Sequence, residues 1–307
     1  MILVIHQTIG MPPAAVVGGP PNPDVMALKE KSLAALGKLP PFSPILSKLK
    51  VLLSEQDVSF AVLGDLIEKD AVLAGRFLGA VNSAAYTRVS TISSVRHALS
   101  VLGTEKVRNA VLGMSASCLL NQAPTPPGWS MERFNKHSAA VAILSDLIAQ
   151  RTAVDFPEGA FVAGLLHDIG RLLIAIGLPL EFHRIRKDYQ TSSRTWIECE
   201  QFILGFGHAE LSGEALAVWK IPDPIVQAVA EHHTPVQPQS GKPLSLGWVL
   251  NAANQYVNSL GESIMPVAKP DNAGSVWMES LGMDRATLAQ LFTEFRAEHD
   301  SIAQYFQ

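Results

Sequence analysis

The sequence has few cysteines, and this shortage excludes several kinds of protein. Only two of its 307 residues are cysteines, Cys118 and Cys199. Two cysteines cannot build the disulfide framework of a small secreted domain or a metal site made of cysteine alone. We therefore expect both to be buried apolar side chains in a reducing compartment, with no disulfide between them.

Positive charge is also scarce. Charged residues make up 17 % of the chain and the formal net charge is −4. A general nucleic-acid-binding protein needs a basic face that releases counterions from phosphates, so we do not expect nucleic acid as a partner.

Ser94–Leu112 has the outline of a helix-turn-helix with basic residues. Its apolar positions are needed for a core, however, so we expect a structural helix pair there: Val95, Leu99, Leu102, Val107 and Val111.

Long apolar runs are missing as well. We find no stretch approaching the roughly 18–20 apolar residues of a membrane span. The start, Met1–Ile5, is short and has no cationic flank, which argues against a signal peptide. These features predict a cytoplasmic protein without membrane contact.

What the chain has is apolar content, 48 % of all residues, enough for a sizeable core. Alternating apolar and polar positions are hard to find, whereas helix caps and 3.6-residue periodicity recur from Val25 onward, so the predicted fold class is all-α. Residues 1–24 hold a cluster of prolines and glycines and are predicted to be a flexible leader.

The strongest helix signals lie in the second half. Asp155-Phe-Pro-Glu158 is predicted to be a capping box that opens one helix carrying the apolar run up to Gly177. The last predicted helix follows Asp284 and has an apolar stripe. We expect that stripe to be a last core layer rather than a partner surface: Leu288, Leu291, Phe292, Phe295 and Ile302.

The adjacent pair His167-Asp168 lies in that apolar run. An imidazole nitrogen and a carboxylate oxygen side by side can reach one divalent metal ion. Burying the pair without partners would cost several kcal/mol by rough desolvation estimates, so neighbouring groups must satisfy it. Metal ligation and a hydrogen-bonded structural pair are both open at this point.

Other histidines favour the metal. His137 is followed by Val141, Leu144 and Ile148 at helical spacing, so its side chain is predicted to point into the core. His208, His232 and His233 share stripes with apolar residues in later helices. Bundles build metal sites from ligands that project inward from facing helices. The predicted ligands are His137, His167, Asp168, His208, His232 and His233, with a divalent ion such as iron, manganese or zinc.

This histidine pattern resembles the HD superfamily of metal-dependent phosphohydrolases, whose fold is a multi-helix bundle. The N-terminal half is more specifically similar to the HDOD family, the HD-related output domain of bacterial signalling proteins, through an additional helical subdomain. The resemblance covers about residues 36–240, and 241–307 is similar to a helical extension packing on that domain. Its motifs are Leu39-Pro-Pro-Phe42, Ile67–Leu73, Val81–Tyr86, Ser94–Gly103, Gly205–Glu210 and Trp219–Pro235.

The HDOD resemblance implies a regulatory module without an established reaction, acting through other signalling proteins or a small, for example nucleotide, ligand. The alternative is an active phosphohydrolase for nucleotides or cyclic dinucleotides. Asn254 stands at the place of the superfamily's last Asp ligand and would bind metal more weakly than a carboxylate. No Gly-Tyr-Pro follows His233. The basic residues near the constellation are expected to be solvated surface charges: Arg171, Lys136, Lys220 and Arg184.

Overall fold

The structure, a computed structural model, describes residues 23–39, 64, 67, 74, 75, 77, 78, 94–265 and 273–303. Most of the predicted leader 1–24 lies outside these residues, as do most of the motifs between 40 and 93. The first described helix begins at Pro23, so the last two residues of the predicted leader are helical.

Within the described residues every regular element is helical, apart from one isolated β-bridge between Val154 and Leu244, and the predicted all-α fold is confirmed. Short 3-10 helices cover Ala35–Lys38 and Pro157–Gly159. The α-helices are α1 Pro23–Ala34, α2 Val95–Leu102, α3 Thr104–Leu120, α4 Met131–Ala149, α5 Ala160–Leu166, α6 Ile169–Gly177, α7 Pro179–Thr191, α8 Trp196–Leu204, α9 His208–Val218, α10 Asp223–Ala230, α11 Leu246–Ser259, α12 Ala273–Glu279 and α13 Arg285–Ala303.

Side-chain caps decide where several helices begin. Ser94, Ser130 and Ser245 accept hydrogen bonds from amides three residues later, at the starts of α2, α4 and α11. Thr195 and Glu198 form a reciprocal capping box at α8. Each of these helices therefore starts at a position that its own sequence specifies.

The predicted capping box at Asp155 is wrong. The short helix at Pro157 has no side-chain cap, and Asp155 Oδ1 instead accepts from the Leu246 amide at 2.9 Å. The adjacent backbone also pairs across this point, from Asp155 N to Leu244 O and from Leu244 N to Ala153 O. Asp155 therefore accepts a hydrogen bond at the start of α11, about ninety residues later in the sequence.

The centre of the bundle is the packing of α4 against α5. A side chain on Gly164 would come within 2.5 Å of the Ala142 Cα atom, so the two backbones are in direct contact. Contrary to the expectation from the sequence, the stretch Pro157–Gly177 is long and apolar enough to cross a membrane. Its apolar window is 94 % buried inside the structure, however, as the core helix of a folded domain would be.

The predicted single helix through His167-Asp168 is interrupted there. His167 Nδ1 donates to the Gly164 carbonyl at 2.8 Å, the oxygen that the Asp168 amide would use in a continuous helix. The chain turns at these two residues and resumes as α6, with Arg171 N donating to Asp168 O at 3.0 Å. The pair is therefore presented at a turn between two helices.

The remaining expectations concern packing. In the C-terminal stripe Leu291 and Phe295 are buried and Leu288 and Phe292 pack on the core, which confirms the core layer for these four; the Ile302 side chain lies outside the description. The helix pair α2–α3 also faces the core, as expected: Val95, Leu99, Val107 and Val111 are buried and Leu102 is half-buried. Cys199 is free and buried, whereas the side chain of Cys118 is not described.

Candidate metal centre

The six predicted site residues converge on one place, five of them from the starts or ends of helices and His137 from within a helix. His137 comes from the interior of α4, His167 and Asp168 from the turn between α5 and α6, and His208 is the first residue of α9. His232 and His233 follow the end of α10. All six predicted side chains thus meet at one place, and all but His137 stand at helix ends rather than within helices.

The carboxylate of Asp168 lies at the middle of the cluster. Its Oδ2 is 3.4 Å from His167 Nε2 and 3.7 Å from His137 Nε2, while its Oδ1 is 3.0 Å from His208 Nε2 and 3.8 Å from His232 Nε2. His233 Nε2 lies 2.8 Å from His208 Nε2. The two oxygens of Asp168 therefore face two different groups of histidines, and Asp168 belongs to both.

Backbone carbonyls fix the orientation of three of the histidine rings through hydrogen bonds to Nδ1. The Nδ1 atoms of His137, His167 and His232 bond to the carbonyls of Glu262, Gly164 and Val229 at 2.7–2.8 Å. A carbonyl can only accept, so each Nδ1 carries the proton and each Nε2 presents a lone pair to the centre. This is how protein scaffolds orient histidines toward a metal ion.

Burial keeps the rings of His137, His232 and His233 neutral. Burial, together with the neighbouring His167, lowers the pKa of His137 to about 4 and lowers that of His232 well below its ordinary value. Burial also lowers the pKa of His233, with the imidazoles of His232 and His208 acting in the same direction. A neutral imidazole is the form that ligates metals.

The donor set fits a divalent cation. His137 Nε2 and His167 Nε2 are 3.3 Å apart although both present lone pairs, and the buried atoms Asp168 Oδ1 and His232 Nε2 make no hydrogen bond. Lone pairs facing each other in a buried site repel unless a cation lies between them. Ligands about 2.1 Å from one ion are about 3.0–3.4 Å apart, close to the spacings here. Imidazole with carboxylate suits iron, manganese or zinc.

Arg171 departs from the sequence expectation. Its side chain is 13 % exposed, and its buried Nε atom lies 3.1 Å from Asp168 Oδ2, so it is a half-buried ion-pair partner of the cluster and not a solvated surface charge. Burial raises the pKa of Asp168, but Arg171, with His167 and His208, outweighs this and holds it well below its usual range. Lys136, by contrast, pairs with Glu132 at the surface.

Sequence reasoning missed Glu200, which is buried on α8. Its Oε1 accepts from Trp196 Nε1 at 2.7 Å, and its Oε2 accepts from the amide and from Nδ1 of His208 at 2.9 and 2.5 Å. Trp196 and Glu200 stand one helical turn apart on α8, the signal that could have revealed it. Glu200 thus orients His208 as the carbonyls orient the other rings.

Asn254 and Asn251 both lie buried on α11. Asn254 Oδ1 accepts from Asn258 Nδ2 at 2.8 Å, within the helix. One turn earlier, Asn251 Nδ2 donates to the carbonyl of His232, and its buried Oδ1 makes no hydrogen bond. The amide that contacts a site residue is therefore Asn251, which the sequence did not single out.

Comparison with known proteins gives the family and the fold. The family model of the HDOD domain matches residues 39–235. The chain belongs to the HDOD family. Its fold is similar to the crystal structure of an HDOD domain protein of unknown function from Geobacter sulfurreducens, with a TM-score of 0.72 and 22 % identity, covering 92 % of this chain and 99 % of that one.

Two further solved structures share the fold. One, from Marinobacter aquaeolei VT8, is provisionally assigned to signal transduction, with TM-score 0.69, 20 % identity, and coverage of 92 % of this chain and 66 % of that chain. The other, from Shewanella amazonensis SB2B, is a provisionally assigned phosphohydrolase, with TM-score 0.68, 22 % identity, and coverage of 90 % and 98 %. Both likenesses establish the fold.

A curated relative, an uncharacterized protein of Treponema pallidum (strain Nichols), is 20 % identical over 209 residues. The match takes in 67 % of this chain but only 40 % of that protein. The chain therefore spans about two fifths of the length of the curated relative that it matches.

We expect the Glu200→Gln variant of this HDOD protein to bind a divalent metal ion about 10–100-fold more weakly than the wild type. A glutamine offers one oxygen and one NH2, so the NH2 must face either the Trp196 donor or the His208 donors. Competition with a chelator measures the affinity. The surface variant Glu210→Gln, which alters an exposed pair with Lys29, serves as the control and should leave the affinity unchanged. Equal affinities in wild type and Glu200→Gln would contradict the orienting role.

The metal-free HDOD domain is expected to lose stability as the pH falls from about 7 to about 5. His137, His232 and His233 have lowered pKa values, with about 4 for His137, against about 6.5 unfolded. In that window the unfolded chain binds more protons, so acid favours unfolding. His208 and His299 have raised pKa values and act in the opposite direction, but they are fewer.

Urea unfolding in a chelator-containing buffer over this pH range measures the effect. The variant His137→Asn lacks one of the titrating rings, and its stability should depend less steeply on pH than that of the wild type. A free energy of unfolding that stays level or rises toward pH 5 would contradict the expectation.

Proposed function

We propose that this chain is a regulatory HDOD output module of a bacterial signalling system, working in the cytoplasm through contacts with other signalling proteins or a small ligand. Its histidine–aspartate centre would hold a divalent metal that fixes the relative positions of α4, α6, α9 and α10. The residues that would hold the ion are His137, His167, Asp168, His208, His232 and His233.

The observation that carries this proposal is the closure of the centre. The side chains of His137, His167, Asp168, His208 and His232 are at most 1 % exposed, and His233 is half-buried at the edge of the cluster. Structural metal sites are closed by protein ligands, whereas catalytic sites keep a position open for water and substrate. A bound ion would supply charge neutralisation for Asp168 and a fixed geometry for the rings. The assignment of one fold neighbour to signal transduction agrees with such a role.

A metal-dependent phosphohydrolase is the second candidate, because Arg171 stands beside the shared carboxylate. A guanidinium at that place could neutralise a phosphoryl group, and Asp168 is available to two groups of ligands, as in two-metal sites. The provisional phosphohydrolase assignment of another fold neighbour is consistent with it.

One set of measurements separates the two candidates. We expect near-stoichiometric iron, manganese or zinc by elemental analysis, a lower melting temperature after chelation, and no release of product from nucleotides or cyclic dinucleotides. Hydrolysis that needs the metal and is lost in Arg171→Gln but kept in Lys136→Gln would establish the enzyme instead. A protein that binds no divalent metal at all would contradict the metal centre on which both candidates depend.

A further inference from the structure

A second site lies on the side of the bundle where α4, α7 and α8 meet the segment before residue 266. It is a cavity of about 150 Å³, large enough for one phosphate-sized group but smaller than the roughly 300–1,000 Å³ of pockets that enclose whole ligands. No Asp or Glu lines it. Its lining residues are Gly128, Ser130, Arg133, Arg186, Tyr189, Gln190, Trp196, Ile264 and Met265.

Two guanidinium groups face this cavity without a carboxylate partner. Arg133 donates Nε–H to the Ser263 carbonyl at 3.2 Å, and Arg186 donates to the Pro127 carbonyl at 3.5 Å. Neither is within ion-pair distance of an acidic group among the described residues. Six other cations among the described residues do have an acidic partner: Lys29, Lys106, Lys136, Arg151, Arg171 and Arg194.

Gly128 makes the position of Arg186 possible. It has φ +88°, and a Cβ atom placed on it would lie 1.7 Å from Arg186 Nη1 and 2.4 Å from Cζ. The guanidinium therefore lies directly over the glycine backbone, and any side chain there would push it away. The position of the Arg186 charge on α7 therefore depends on the absence of a side chain at Gly128.

The other walls are aromatic and polar. Trp196 and Tyr189 pack edge to face with ring centroids 5.4 Å apart, and both border the cavity. Ser130 and Gln190 add groups that can donate hydrogen bonds. Planar guanidinium groups with neutral donors and no carboxylate are the chemistry that recognises an oxyanion, a phosphate above all.

We propose that this cavity is a binding site for the phosphate group of a small effector, a phosphomonoester or inorganic phosphate itself. It is a different site from the metal centre, and it would exist whether that centre is regulatory or catalytic. Arg133 and Arg186 would bind the phosphate oxygens, and any organic part of the effector would extend out of the cavity.

The cavity also touches residues that orient the metal ligands. Arg133 and His137 stand one turn apart on α4 and bond to the adjacent carbonyls of Ser263 and Glu262. On the opposite wall, Trp196 donates to Glu200, the partner of His208. An anion bound in the cavity would therefore contact Arg133, which bonds to the residue next to the acceptor of His137, and Trp196, which bonds to the acceptor of His208.

Calorimetric titration of the full chain with inorganic phosphate and with AMP and GMP tests the proposal. We expect saturable binding at one site, weakened about tenfold or more in Arg186→Gln, because a charge-assisted contact is lost. Arg184→Gln is the matched control, since Arg184 is exposed on the same helix and does not line the cavity. Binding of phosphate alone would identify a free-phosphate site, and tighter binding of the nucleotides would identify a phosphomonoester site.

Gly128→Ala provides a test in which no charge is removed. Its methyl group would displace the Arg186 guanidinium, so we expect a loss of binding comparable to that in Arg186→Gln, with a melting temperature confirming that the variant is folded. The proposal is overturned if the folded wild type binds none of the three probes at millimolar concentration. It is equally overturned if Arg184→Gln weakens binding as much as Arg186→Gln does, because charge on α7 would then suffice.

Discussion

Asp168→Ala is expected to abolish metal binding and, in the metal-free protein, to lower the free energy of unfolding by about 3–5 kcal/mol. The variant leaves the Arg171 guanidinium, whose Nε atom is buried, without its counterion, which lies 3.1 Å away in the native structure. Domain stabilities are typically about 5–15 kcal/mol, so much of the margin would be lost.

Urea unfolding in chelator, at neutral pH, isolates the charge effect from the metal. Asp188→Ala is the matched control, because Asp188 pairs with Arg194 at 2.9 Å but at the surface. Partly exposed pairs contribute at most about 1 kcal/mol, so the control should stay close to wild type. The double variant Asp168→Ala with Arg171→Met should recover part of the loss, since it removes the unpaired charge. Equal losses in both single variants would contradict the buried role of Asp168.

Gly170→Ala is the second change with a large expected effect, about 3 kcal/mol of stability together with weaker metal binding. A Cβ atom on Gly170 would lie 2.1 Å from the His208 carbonyl oxygen and 2.9 Å from Ser212 N. Both are backbone atoms, so α6 and α9 would have to move apart. The Gly170 amide would also lose its bond to Ser212 Oγ, now 2.8 Å, and His208 would move away from Asp168.

Gly37→Ala is the control for this prediction. A Cβ atom on Gly37 would meet nothing within 4 Å, so the added methyl should be neutral or slightly stabilising. Thermal melts of both variants, followed by elemental analysis, measure the two effects. If Gly170→Ala had the melting temperature and the metal content of the wild type, α6 and α9 would be able to move apart without cost, and the prediction would be contradicted.

Much of the centre could be predicted from the sequence because ligand chemistry leaves a local pattern. His137 has apolar neighbours at helical spacing. The adjacent His167 and Asp168 stand in an apolar run, where burying a polar pair costs free energy unless partners satisfy it. The convergence of all six residues followed from these local features and from the resemblance. The helical class followed from periodicity in the same way.

The parts that could not be predicted depend on contacts between distant residues. Asp155 reads as the cap of the helix next to it, yet it caps α11, because tertiary packing brings Leu246 to it. The break at His167 depends on its side chain, which donates a hydrogen bond to the Gly164 carbonyl of the preceding helix. Arg171 lies three residues after Asp168, so their contact is local, but in a sequence window it looks like a surface charge, and only tertiary packing leaves its side chain no more than 13 % exposed.

The carbonyl of Glu262 and the amide of Asn251 have a consequence for the boundary of the domain. The family match ends at residue 235 and includes every predicted ligand, whereas these two groups come later in the chain. A fragment that ended at residue 235 would keep all the histidines and lose the acceptor behind His137 and the donor to the His232 carbonyl. The inherited unit of this protein, judged by what holds its ligands in place, is therefore longer than the unit that sequence similarity delimits.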